Sequence, residues 1–224
     1  MHRDNETRPH TPRPLEDIFK AHLENALACS QVLGQLFMKL EVPESYVTQI
    51  KHMEEKGDRL TAEAYEALEL LPDSETVQLT EQFVKRLDDI VDGMNVTART
   101  IDVFMPTKLE DAAEKITALI SSMVSRLLTE VQQHPFEDLT SVRQCREALK
   151  IWEENADIVY HEWRKSHRRH GHLSLRAETD WTELLGTLEQ TTDSCYHAAL
   201  LLERMAKHHL RQQSGSGDSL LARS

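Results

Sequence analysis

Glycine and proline are scarce in this chain, at seven each in 224 residues, and aromatic side chains make up only 5%. Sheets draw on β-branched and aromatic residues and on closely spaced turn residues, so this scarcity argues against strands. Long apolar runs are missing too. No stretch approaches the ~20 residues needed to cross a bilayer, and the opening MHRDNETRPHTPRP lacks the apolar segment of a secretory signal. A cytoplasmic chain without membrane insertion is the expectation. The cysteines Cys29, Cys145 and Cys195 are far apart and show no CxxC or other metal-ligand spacing, which predicts reduced core residues. There is no Gly-rich phosphate loop and no Ser/His/Asp or Cys/His arrangement for nucleophilic catalysis, so the chain is not expected to be an enzyme. Positive charge is also short. With 26 Lys and Arg against 38 Asp and Glu, the formal charge is −12, so the molecule as a whole is expected to repel nucleic acid and anionic lipid and to attract cations and basic partner segments.

What the chain does hold is helical periodicity. The first fourteen residues, broken by Pro9, Pro12 and Pro14, are too polar to order themselves and read as a disordered tail. From Leu15 onward, apolar residues recur at three- and four-residue steps in six stripes. The first runs from Ile18 to Leu40 and the second, with Ser45 as its expected cap, from Tyr46 to Leu71. The third follows the PDSE turn and reaches Met105. The fourth covers Leu109 to Val131, the fifth Cys145 to Trp163 and the sixth Trp181 to Met205. Between the last two, KSHRRHGHLSLR (165–176) loses its periodicity and reads as a basic, His-rich loop. His167, His170 and His172 lie in it, with a solvated role as the simplest reading. The SGSGDSLLARS end reads as flexible. The fold class is therefore all-α: six long helices in two three-helix repeats, 15–106 and 107–211, between tails at 1–14 and 212–224.

Four helices carry two carboxylates at i and i+4: Glu54 with Asp58, Asp88 with Asp92, Glu153 with Asp157, and Glu189 with Asp193. Frequency alone says little, since 38 acids would give about six such pairs by chance and six occur. Placement says more. Each of the four pairs sits one residue beyond an apolar stripe position, so all flank the core on the same side of their helices. Glu153 lies 99 residues after Glu54, and Glu189 lies 101 after Asp88, the mark of a duplicated unit. Like charges at this spacing cost a helix a few tenths of a kcal/mol, and two facing helices would offer four hard oxygen ligands. Acids that simply stay wet at the edge of a core are the plainer alternative. A histidine three residues after a Glu, the di-iron bundle signature, does not occur.

The segments HMEEKGDRL, LDDIVDGM, IWEENADIVYHEWR and LEQTTDSCYHAA resemble the repeated E(D)xxxD signatures of PhoU. They are closer to its distant relatives, phosphate transport regulators often encoded beside Pit-type inorganic phosphate transporters. The resemblance spans roughly residues 15 to 210. It implies two three-helix repeats, a regulatory role in phosphate uptake at the cytoplasmic face of a Pit-type transporter, and metal ions on the acidic motifs. Fe, Zn, Mn, Mg and Ca are all compatible. Carried over residue by residue, the ligand candidates are Glu54, Asp58, Asp88 and Asp92 in one half and Glu153, Asp157, Glu189 and Asp193 in the other. Glu55, Asp89 and Glu154 are weaker ones. The resemblance implies a regular helical hairpin where HRRHGHLSLR reads as a loop, and it leaves room for a homo-oligomer. Two other functions fit the same residues: a metal-free adaptor for basic segments, and a metal-dependent hydrolase or oxidase.

Overall fold

The computed structural model describes residues 13–133, 138–171 and 173–221. Six helices account for nearly all of them: α1 (Leu15–Phe37), α2 (Glu44–Glu69), α3 (Glu75–Phe104), α4 (Asp111–Gln133), α5 (Leu139–His170) and α6 (Leu175–Leu221). No strand occurs among the described residues. The proposed amino-terminal tail lies outside them apart from Arg13 and Pro14, and so does His172.

Helix ends follow local chemistry. Ser74 begins α3 by accepting a hydrogen bond from the Val77 N–H, and Asp138 begins α5 by accepting from Thr140 and Ser141. The second helix starts two residues earlier than its sequence suggests: Glu44 is already helical, and Pro43 precedes it with no side-chain cap. At the end of α3, Met105 adopts a left-handed conformation (φ 47°) and its N–H bonds back to the Ile101 carbonyl. That closure usually falls to glycine. Leu71 and Met105, counted among the apolar stripes, are exposed because both lie just past the end of their helices.

Two expectations need correction. The basic stretch is mostly helix, since α5 continues through His170 and α6 begins at Leu175. Lys and Arg are good helix formers and suit the negative end of the helix dipole. The stripe fades because this part of α5 has little to pack against, whereas its backbone ladder needs no buried face. Likewise, α6 runs on to Leu221 through the segment expected to be a flexible tail. A helix already nucleated by packing extends by one hydrogen bond per residue fixed.

The short connections make sequential helices antiparallel, so that α1, α3 and α5 end where α2, α4 and α6 begin. Contacts between the two halves run through α3 with α6 and α1 with α4. Within the halves the same pattern repeats: α2 flanks α3 and α1, while α5 flanks α6 and α4. The interior is one continuous cluster, joining Phe19 and Phe83 at 5.2 Å in the first half to Phe104 and Trp181 at 5.5 Å between the halves. Cys29, Cys145 and Cys195 are free and buried. Burial pushes the Cys29 and Cys145 thiols up to about 12 and Cys195 higher still, so all three are inert core residues.

Candidate metal centre

Because α2 and α3 are antiparallel neighbours with their acidic flanks in the same register, the acids at their seam converge. One oxygen each from Glu54 and Asp58 of α2 and Asp92 of α3 lie within 4.8 Å of one another. A single ion at ~2.0 to 2.6 Å from each donor could span such a set. No Lys, Arg or His among the described residues forms an ion pair with any of the three. Burial raises the Asp92 carboxyl to about 6, and the nearby charges of Asp88, Asp58 and Glu54 push in the same direction. Asn25, buried in α1, donates to the Met53 carbonyl at 2.7 Å and so fixes the turn of α2 that carries Glu54.

Asp88 belongs to a different arrangement. It accepts a hydrogen bond from the Thr61 hydroxyl at 2.9 Å, and the Thr61 oxygen lies 3.1 Å from His22 Nε2. Thr61 has one proton to give, so His22 must donate from Nε2, which assigns its tautomer and leaves the buried Nδ1 without a partner. Burial works against the Asp88 charge, but the nearby His22 and the bond from Thr61 outweigh it and hold the carboxyl below its usual range. Asp88 therefore serves as a charged neighbour of the three converging acids and is not the fourth member of their group. His22 and Thr61 lie outside the acidic pairs, and nothing in their spacing signals this role.

The second half does not gather its acids as tightly: the group of three at the α2/α3 seam has no counterpart there among the described residues. Burial raises the Glu189 carboxyl, reinforced by the charges of Asp193, Asp157 and Glu153. Burial also raises Asp193, and so do the charge of Glu153 and a hydrogen bond with it. Here, however, the chain supplies its own cation. Lys150 Nζ sits 2.6 Å from Glu153 and 3.6 Å from Glu154, and 5.0 Å over the ring of Tyr196. His161 lies 3.1 Å from Asp157. The α2/α3 seam fits a metal ion because its carboxylates are uncompensated hard donors. The α5/α6 seam fits one less well, since an ammonium already takes part of its charge. The weaker candidates face elsewhere: Glu55 pairs with Lys51 and His52, Asp89 with Arg86, and Glu154 with Lys150. In the basic stretch, His167 stacks on Trp163 and lies 3.5 Å from Glu110, which also accepts a hydrogen bond from the Trp163 indole.

No family model and no curated protein sequence matches the chain. Solved structures do. A PhoU-like phosphate regulatory protein from Shewanella oneidensis MR-1 aligns with a TM-score of 0.67 at 14% identity, covering 87% of this chain and all of the other. A second PhoU-like protein from that organism gives 0.68 at 14%, covering 90% of this chain and all of the other. The phosphate transport system regulatory protein PhoU from Streptococcus pneumoniae gives 0.67 at 15%, covering 85% of this chain and 94% of that one. The six helices described here thus have the PhoU-like fold, shared over most of the chain with proteins only 14 to 15% identical to it.

Proposed function

We propose that this chain is a regulatory or accessory protein of inorganic phosphate transport and not an enzyme, acting in the cytoplasm by contact with the inner face of a Pit-type transporter. The fold shared with phosphate regulatory proteins supports the transport role. No helix among the described residues is long and apolar enough to cross a membrane, in keeping with a partner that docks from one side.

The observation that carries the metal-binding part is the uncompensated triad of Glu54, Asp58 and Asp92. These residues would hold one ion between α2 and α3, with Asp88 adding charge behind them and Thr61 and His22 holding Asp88 in place. Three carboxylates suit a divalent or trivalent hard cation such as Mn, Mg, Ca or Fe, and Zn less well. A bound ion would neutralise the mutual repulsion of the triad and tie the two helices together. Calorimetric titration of untagged protein with each metal tests this: saturable binding lost in the Asp58→Asn, Asp92→Asn double variant is expected. Binding unchanged in that variant would refute the site, and no binding of any of these metals would leave a metal-free adaptor. For the transport role, co-purification from native membranes should recover a phosphate transporter. Phosphate uptake that is unaltered by deletion of the protein, at low and high phosphate alike, would refute it.

A further inference from the structure

The connections α1–α2, α3–α4 and α5–α6 all lie at one end of the bundle, as the contacts of Phe104 with Trp181 and of Trp163 with Glu110 attest. Of the ten large hydrophobic residues that are strongly exposed among the described ones, five stand at this end: Met38, Val42, Val103, Met105 and Leu175. Scattered exposed apolar residues are ordinary, but half of them gathered around three neighbouring turns are not. The α5–α6 hairpin also reaches beyond its neighbours. His167 still lies 3.5 Å from Glu110 at the start of α4, so residues 168–170 project beyond it by about 5 Å at the helical rise of 1.5 Å per residue. Between Glu162 and Glu178 the chain has no acid, yet it carries Arg164, Lys165, Arg168, Arg169 and Arg176. In a protein with a formal charge of −12 this hairpin is where cations gather, with Asp180 3.9 Å from Arg176 and Glu178 and Glu183 beside Arg164 and Arg168 offsetting part of their charge. Leu175, 81% exposed, sits at its tip.

Met105 adds an independent sign. It is the only non-glycine residue with positive φ among those described, at a helix end where glycine would be easier, and its side chain is 69% exposed. Local stability favours glycine there, whereas a surface that needs an apolar side chain favours methionine.

We propose that this end of the bundle docks on an anionic lipid surface, with the arginines of the α5–α6 hairpin among the headgroups and Leu175, Met105 and Val103 entering the boundary between headgroups and acyl chains. Basic side chains around exposed aliphatic ones match that boundary, where charge and apolar burial act together. Nucleic acid would meet the same cations, but it offers nothing to cover the aliphatic side chains. The contact needs neither a bound metal nor a transporter, so it can be tested on protein-free membranes.

Co-sedimentation with vesicles of phosphatidylglycerol mixed with phosphatidylcholine, and with phosphatidylcholine alone, tests it on the full chain. The protein should bind the anionic vesicles and not the neutral ones, and added salt should weaken binding. The Arg168→Glu, Arg169→Glu variant should lose about tenfold or more in partitioning. Met105→Gly should lose several-fold while keeping or gaining thermal stability, which separates lost contact from lost fold. Absence of binding to anionic vesicles, equal binding to both vesicle types, or unchanged binding after charge reversal would overturn the proposal. So would binding of a single-stranded RNA oligonucleotide that disappears in the same variant while the vesicles are left unbound. None of these results depends on metal titration or phosphate uptake, so failure here and failure of the transport reading remain distinguishable.

Discussion

At Gly93 the two halves of the molecule approach closely, and adding one methyl group there tests how α3 and α6 are held. A Cβ at position 93 would fall inside van der Waals contact with Thr191 Oγ1 of α6, 3.3 Å from its Cβ and 3.6 Å from its Cγ2. Thr191 is 1% exposed and its hydroxyl donates to the Thr187 carbonyl at 2.8 Å, so the side chain cannot swing aside without losing that bond. Ala normally gains ~1 kcal/mol over Gly inside a helix. Against that gain stand ~1 to 3 kcal/mol of overpacking and ~1 kcal/mol for the Thr191 hydrogen bond. Gly93→Ala should therefore destabilise by roughly 1 to 3 kcal/mol, a fall in Tm of about 2 to 12 °C for a chain of this size. Gly34 in α1, where an added Cβ meets nothing within 4 Å, provides the control. Gly34→Ala should raise stability by up to ~1 kcal/mol. Urea denaturation followed by circular dichroism measures both. In the cycle with Thr191→Ala, which removes the clashing atoms, the two changes should couple favourably by ~1 kcal/mol or more. A Gly93→Ala protein more stable than the parent, or strictly additive changes, would refute the close approach of the two helices.

Asp92 titrates at about 6 when folded, above its ordinary 3.8, so its contribution to the stability of the metal-free protein is fully present below pH ~3.8 and lost as pH rises through 6. Asp92→Asn should accordingly stabilise the metal-free protein at pH 7, by less than about 1 kcal/mol because the carboxyl is partly exposed to solvent. Thermal melts across pH 4 to 8 should show that advantage shrinking below about 6. Lys150→Gln removes the ammonium from the α5/α6 carboxylates and should raise the metal stoichiometry by one ion per chain in calorimetry; an unchanged stoichiometry would mean that Lys150 does not hold that seam closed. Glu203, with its side chain 10% exposed, draws in Arg146 at 2.7 Å, Lys207 at 2.6 Å and Arg143 at 3.3 Å. Burial opposes its charge, but Lys207, Arg143 and Arg146 together hold the carboxyl below its usual range, so this contribution is present above the unfolded value and is lost as pH falls through the folded one. Glu203→Gln should cost about 1 to 3 kcal/mol at neutral pH in denaturant melts, and a change within ±0.5 kcal/mol would show the cluster to be solvated.

The parts of this molecule that can be read from its sequence are those in which a residue and its partner share one helix. The six stripes are of this kind, and so is the register of the acidic pairs: Glu54 and Asp58 occupy one flank of α2 whatever α2 packs against. Lys150 was open to the same reading, since it precedes Glu153 by three residues on one helical face, and only attention to acids in isolation hides it. What depends on a second or third helix leaves no periodic trace. His22 lies on the buried side of α1, where its spacing is that of any core residue, and it becomes part of the acidic seam only because Thr61 of α2 stands between it and Asp88 of α3. Gly93 looks in sequence like a weak point in a helix, whereas in space it is the gap that Thr191 of α6 fills. The basic stretch misleads for a related reason. Periodicity records what a helix buries, so α5 vanishes from the pattern where it leaves the bundle although its backbone continues for another turn and more. The apolar stripe stops at Trp163, His167 carries the packing one turn further against Glu110, and only the last residues of α5 project into solvent. A projecting helical hairpin with five cations and an exposed leucine at its tip is where a protein of this charge can meet a negatively charged surface that its own body repels.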